Sequence, residues 1–413
     1  MTFRLAIVGA GPAGLYLADG LIRQADCPIE ITVFEDLPTP FGLARYGVAG
    51  DHLGTKAVTR LLARVFRNDA VTYAGNVRIG DAISLECLRE NFHAVAIATG
   101  VNEGRSGIPV DSPEIPVISA FDFIRWANGY PDMDFPLKAG TCHRVGIVGN
   151  GNVALDVARI LLRGKSMYDS SDFPESRLST IGKMKTREVR LLGRRKAVDT
   201  RFSPKELDEL LNLPETSIRT FGVGEGASPG TPENAILKAV NETANVEYSR
   251  SVTFHFECDP ISVSHKIVNF GARSICVDAL VLAIGQSISS PFNLPLADEG
   301  YIANESGQIT GYKDLYVVGW AGGPPTGTIG TNRVSSHNVA KKILSARHDL
   351  LSKTLASNIL EVLRKDGVKP IGWADWLAID DAECLAGQLR NRPREKFTTR
   401  SEMLRAVPKY SVD

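Results

Sequence analysis

VGNGNVALDVAR, running from Val148 to Arg159, decides how this chain is divided. The residues just before it, Arg144 to Val148, are short and apolar enough for a buried strand. Gly149-Asn-Gly151-Asn-Val-Ala154 then has the spacing G-x-G-x-x-A, and an apolar helical pattern continues through Leu162. The chain has made the same move once already. Arg4 to Val8 reads as a strand, Gly9-Ala-Gly11-Pro-Ala-Gly14 is G-x-G-x-x-G, and Leu15 to Arg23 is an apolar-faced helix. Two copies of one strand–turn–helix unit predict two domains of the same general kind.

The glycines have physical roles. Gly9 allows the tight turn, Gly11 lets a pyrophosphate approach the backbone, and Gly14 lets the helix pack close to the strand. The helix N-terminus offers free N–H groups and partial positive charge to phosphates. A second strand, Ile29 to Phe34, ends at Glu35, 21 residues past Gly14, where a carboxylate accepts hydrogen bonds from a ribose diol. The first turn is therefore read as a dinucleotide site; its spacing alone does not separate FAD from NAD. After the second turn the next strand, Glu188 to Leu192, leads into Gly193-Arg-Arg-Lys196 with no acid at its end. A carboxylate there would repel a ribose 2′-phosphate, whereas the guanidiniums of Arg194 and Arg195 grip one, so the second site reads as NADP(H). NADP(H) carries a hydride, and the first site is then read as holding the FAD that exchanges electrons with it.

The rest of the sequence fits this plan. At 413 residues the chain exceeds the size at which single cores stop growing. Lys+Arg and Asp+Glu both total 47, so overall charge points neither to nucleic acid nor to an anionic membrane. Six cysteines stand far apart with no C-x-x-C pair, which argues against a redox dithiol or an iron–sulfur ligand run and for buried thiols in a reducing compartment. No apolar run approaches a membrane span, and a cytoplasmic protein is expected. Ala94 to Gly100 and Ala279 to Gly285 read as strands closing the two nucleotide sheets, and Leu315 to Gly319 as a strand returning to the first. The expected fold is α/β, with two Rossmann-like domains. The NADP domain (105–310) is inserted within a discontinuous FAD domain (1–104 and 311–413). Residues 164–187 form a polar insertion readable as loop or lid, and 345–413 a helical region that caps the FAD domain.

By these residues the chain resembles the adrenodoxin reductase type of ferredoxin–NADP reductase. The most specific pieces are Pro40-Phe-Gly-Leu-Ala-Arg-Tyr-Gly-Val48 with Asp51-His52, Asn150 to Arg159, Gly193-Arg-Arg195, Lys205-Glu-Leu207, Val318-Gly-Trp320, Pro325 to Asn332 and Arg392-Pro-Arg-Glu-Lys396. The resemblance implies an NADPH-dependent flavoenzyme passing electrons through FAD to an acidic ferredoxin, which can feed a cytochrome P450 or another oxygenase. It implies that Ala13, Glu35, Leu43 and Val77 line the FAD, with Trp320 and Gly327, Thr328 and Ile329 near the flavin; Trp320 alone would read as core. Asn150, Gly151, Asn152 and Val153 would hold the NADP pyrophosphate, Arg194 and Arg195 the 2′-phosphate, and Glu206 the adenosine ribose. Gly327 would leave room for nicotinamide against flavin. Hydride transfer needs alignment more than acid–base help. His52 and Glu209 match a polar pair near the flavin that could carry protons, although His52 reads equally as a hydrogen-bonded interior residue.

Three departures bear on the acceptor. Gly322-Gly-Pro-Pro325 stands where the family usually has Lys-Arg-Gly, and Gly50 where it commonly has proline. Residues 206–257 hold nine acids against three bases, whereas 183–205 hold nine bases against two acids. Docking an acidic partner needs a positive surface. These departures keep a second function open, reduction or oxidation of a small molecule or quinone with the same cofactors.

Overall fold

The computed structural model describes the chain except residues 135–136, 138–139, 164–167, 201, 224–226, 245, 261, 271–272, 289–291, 326, 328, 357 and 411–413. It divides into two units, Met1–Glu103 with Gln286–Asp413, and Gly104–Gly285. The first unit is thus discontinuous and the second is an insertion. The return to the first unit comes at 286 and not at the expected 311. The reason is pairing: the short strands Asn304–Glu305 and Gln308–Ile309 form a hairpin that hydrogen-bonds to Leu315–Val317, extending the first unit's sheet.

That sheet has seven strands in the order Asn304–Glu305, Gln308–Ile309, Leu315–Val317, Ala94–Ile97, Phe3–Val8, Ile29–Phe34 and Val71–Ala74, the last five parallel. Alternation along its central strand fills both faces. Phe3, Leu5 and Ile7 pack into one core with Leu15, Leu17 and Leu21 of the helix Pro12–Gln24 and with Val339 and Ile343 of the helix Thr331–Ser345. Ala6 and Val8 pack into the other with Leu85 and Leu88 and with Ile359 and Leu363. The long helix Trp373–Gln388 of the C-terminal region joins the first core through aromatic contacts. Trp373 stacks on Phe66 at 4.4 Å between centroids, and Trp376 meets the edge of Phe41 at 5.9 Å.

The second unit holds a parallel six-stranded sheet, ordered Thr216–Phe221, Arg250–His255, Glu188–Leu192, Arg144–Val148, Ala279–Leu282 and Val117–Ser119. A second, four-stranded sheet covers part of it through a core that includes Val148, Leu192, Val263, Val268 and Leu280. The polar insertion after the nucleotide helix is anchored: Tyr168, Phe173, Leu178 and Met184 are buried, the last two on the helix Glu175–Met184. The six cysteines are free thiols, but only Cys142 and Cys258 are buried; the other four are half-buried, a correction to the expectation that all are interior. No helix among the described residues is long and apolar enough to cross a membrane.

Candidate functional site

Both glycine turns are built alike. Gly9 has φ +116°, and a Cβ on it would collide with the Ala98 carbonyl at the end of the neighbouring parallel strand. Gly149 has φ +119°, and a Cβ there would collide with the Ala283 carbonyl in the same way. A side chain at either position would push the turn off its sheet. Gly11 and Gly151 are the opposite case: neither would meet any atom within 4 Å. Their missing side chains leave space free at the N-termini of the helices that follow, room that a phosphate group can use.

The helices that follow these turns, Pro12–Gln24 and Asn152–Leu162, begin at Gly11 and Gly151 with no side-chain cap and no acid in the first turn. Elsewhere Ser84, Ser119, Ser203 and Thr231 each cap their helix with a hydroxyl. Two uncapped N-termini facing open glycine backbone fit the pyrophosphates of two dinucleotides.

In the first unit, the predicted FAD residues gather around the first turn. Glu35 accepts the Ala10 N–H at 2.8 Å and the Leu37 N–H at 3.3 Å. Burial pushes its pKa up to about 7, with the two N–H groups pulling in the opposite direction. The Val77 N–H donates to the Glu35 carbonyl at 2.9 Å, which fixes Val77 beside it. Phe41 donates its N–H to the Ala10 carbonyl at 2.9 Å with φ +81°, folding the loop that carries Leu43 onto the turn. On the other side the Ser336 hydroxyl donates to the Ala13 carbonyl at 3.0 Å, and a Cβ on Gly319 would touch Ala13. Trp320 follows, its indole N–H buried and without a hydrogen-bond partner among the described residues. A buried N–H without an acceptor signals a missing partner, and a bound cofactor fits that description. Gly327 takes φ +83°, Ile329 is half-buried against the core, and Thr328 lies outside the described residues.

In the second unit, Asn150 has both amide atoms buried and, among the described residues, without partners. Its side chain fills the space that a Cβ at Gly193 would take, so Gly193 is glycine because of Asn150. Asn152 accepts the Ser203 N–H at 2.7 Å, and Ser203 caps the helix Pro204–Leu211 that carries Glu206. Glu206 Oε2 is likewise buried without a partner. Val153 is 39% exposed. Arg194 and Arg195 are exposed, and among the described residues neither side chain has a partner. Asn150, Glu206, Arg194 and Arg195 thus carry polar groups without partners among the described residues, chemistry that suits a phosphorylated nucleotide.

His52 and Glu209 fall in different units. His52 is half-buried at the start of the short helix Leu53–Lys56, its N–H on the Ala49 carbonyl at 3.0 Å. Glu209 is held by Arg159 at 3.6 Å and Lys205 at 3.7 Å. Arg159 is almost fully buried and also pairs with Asp156 at 2.6 Å. Two further residues at the second site escaped the sequence reading. Ser203 was legible, since Ser203 with Glu206 is a helix-start signature. His255 was not: its carbonyl accepts the Gly193 N–H at 2.8 Å, and its ring stacks on Phe221 at 5.0 Å, contacts between strands distant in sequence.

Comparisons with known proteins agree with this geometry. A family model described as FAD-NAD(P)-binding matches residues 6–62. The mitochondrial NADPH:adrenodoxin oxidoreductase of Salvelinus fontinalis is 31% identical, over 98% of this chain and 91% of the relative. The NADPH-ferredoxin reductase FprA of Mycobacterium leprae is 30% identical over 97% of each chain. The solved structure of Mycobacterium tuberculosis FprA in complex with NADPH matches 98% of this chain and 99% of that one, at 27% identity and a TM-score of 0.88. The chain belongs to the adrenodoxin reductase type of NADPH–ferredoxin reductases, oxidoreductases that bind FAD and NADP(H).

Proposed function

We propose that this protein takes electrons from NADPH and delivers them to an acidic ferredoxin-type iron–sulfur protein. One observation carries the reading: two uncapped glycine turns in one chain, the second followed by the free pair Arg194 and Arg195. Gly9, Gly11, Ala13, Gly14, Glu35, Leu43, Val77, Trp320, Gly327 and Ile329 hold FAD. Asn150, Gly151, Asn152, Val153, Arg194, Arg195 and Glu206 hold NADP(H), the two arginines selecting for the 2′-phosphate. Bound FAD supplies the exchange between a hydride pair and single electrons. The chain's own part is to bind and orient the two nucleotides. Glu209, ion-paired to Arg159 and Lys205, acts as a fixed negative charge, and His52 is the side chain left to hold or move a proton. The six free thiols support a reducing, cytoplasmic setting.

The test is to reduce the holoprotein with NADPH without oxygen, mix it with an acidic ferredoxin at low and high salt, and follow flavin reoxidation. Fast transfer that falls with salt is expected. Slow transfer indifferent to salt would overturn the ferredoxin assignment and favour a small-molecule or quinone acceptor, the reading suggested by Gly322-Gly-Pro-Pro325.

A further inference from the structure

Between His52 and Asn68 the chain carries four bases, Lys56, Arg60, Arg64 and Arg67, and no acid. The helix Val58–Leu62 runs directly into the 3-10 turn Ala63–Arg67. Steps of four and three residues bring Arg60, Arg64 and Arg67 to one side. Leu62, Val65 and Phe66 are buried on the opposite side, while the three arginines are exposed, with Leu61 (45% exposed) among them. Elsewhere in this unit the exposed Arg23 and Arg78 lie on Asp19 and Asp36, and the exposed Arg333 and Arg364, without an ion pair among the described residues, do not belong to a run of three arginines. Among the described residues Arg60, Arg64 and Arg67 have neither an ion pair nor a side-chain hydrogen bond.

We propose that the acidic iron–sulfur partner docks on the first unit through Arg60, Arg64 and Arg67, with Leu61 as the apolar contact between them; the inference rests on the ferredoxin reductase reading. Unpaired positive charge steers an acidic partner and is satisfied by it, and one apolar residue inside a charged patch suits the small interface of a transient electron-transfer complex. Location supports the same surface. The helix Val58–Leu62 packs on Pro12–Gln24, Gly42–Tyr46 and Leu53–Lys56, the elements that carry Ala13 and Leu43 and follow His52. A partner seated there is one helix away from the segment proposed to hold FAD. One exposed basic run of the second unit, Lys183, Lys185 and Arg187, precedes the strand Glu188–Leu192. They therefore sit at the end of that sheet opposite the nucleotide turn.

The test compares holoenzymes with R60E/R64E/R67E, R60Q/R64Q/R67Q and K183E/K185E/R187E, driven by NADPH with an acidic ferredoxin or a neutral quinone as acceptor. For the glutamate triple, kcat/KM for ferredoxin at low salt should fall about tenfold or more, through KM, and its salt dependence should flatten. The glutamine triple, which asks less of the fold, should lose less in the same direction. FAD content and quinone reduction should match wild type in both. The docking proposal is overturned if wild type reduces ferredoxin and both arginine triples stay within about twofold of it, or if only the lysine triple loses activity. If wild type itself gives no salt-sensitive ferredoxin reduction, the functional reading has failed and the docking site falls with it.

Discussion

Glu35 stands at the end of the strand Ile29–Phe34 and receives two backbone N–H groups, yet burial keeps its pKa near 7. If the FAD ribose donates to this carboxylate as proposed, it favours the ionised form, and cofactor and proton then compete for one group. In the apoprotein the folded pKa exceeds the unfolded value, so Glu35's contribution to stability is greatest in acid and is lost as pH rises toward 7. FAD affinity runs the other way, rising with pH up to about 7 and levelling above it, with at most about tenfold per pH unit. Titrating apoprotein with FAD between mildly acidic and mildly alkaline pH measures this, and E35Q should abolish the slope. A flat wild-type profile would remove Glu35 from the cofactor site. The position was legible from spacing alone, because strand length and turn geometry fix where the acid arrives. Its shifted pKa was not, because burial is supplied by chain far away.

At the scale of elements, the strand–turn–helix unit occurs twice, and its glycines divide into two kinds. Gly9 and Gly149 are required by the protein's own backbone, whereas Gly11 and Gly151 have open space and are the two proposed to serve the bound dinucleotides. Substitution separates them. G9A forces a side chain into a left-handed conformation and into the Ala98 carbonyl, so thermal unfolding should show a loss of at least about 1–3 kcal/mol from the backbone alone. G11V and G151V should leave Tm nearly unchanged while weakening FAD and NADPH respectively by about tenfold or more, read by flavin retention and by KM for NADPH. The fingerprint identified both turns, and both helices lie where the periodicity predicts, Pro12–Gln24 and Asn152–Leu162. It gave no sign that the Asn150 amide would claim the space at Gly193, because that contact joins two loops 43 residues apart in sequence.

Across the whole molecule, the ends of the first unit are tied by a buried charge cluster. Glu383, fully buried on the helix Trp373–Gln388, pairs with Arg45 at 2.6 Å and with Arg394 at 2.7 Å, while Arg45 lies over the rings of Tyr46 and Trp376. Burial opposes ionisation of Glu383, but the two guanidiniums prevail and hold its carboxyl below the usual range. E383Q leaves the buried Arg45 uncompensated, while Arg394 keeps Asp380 at 2.7 Å, and should cost about 3–5 kcal/mol, measured by denaturant unfolding. The wild-type contribution is complete above the unfolded carboxyl pKa and fades as pH falls through the lower folded value. The basic motif Arg392 to Lys396 was visible in the sequence, but the pairing of Arg45 with Glu383 was not, since nothing local relates positions 338 residues apart.

What the sequence determined by itself is everything governed by short-range geometry. That covers the two nucleotide turns, the acid after one and the arginines after the other, the parallel strands beside them and the presence of an inserted domain. The turns and their acid or arginines follow from spacing, periodicity and charge within about fifty residues, and the insertion from the order in which the strand patterns recur. Only the tertiary structure decided which side the hairpin 304–309 joins, which polar atoms are left without partners at Asn150, Glu206 and Trp320, and which surface arginines are free. Each of these depends on what distant chain brings into contact, and pairing, desolvation and burial are set by three-dimensional neighbours whatever their separation in sequence.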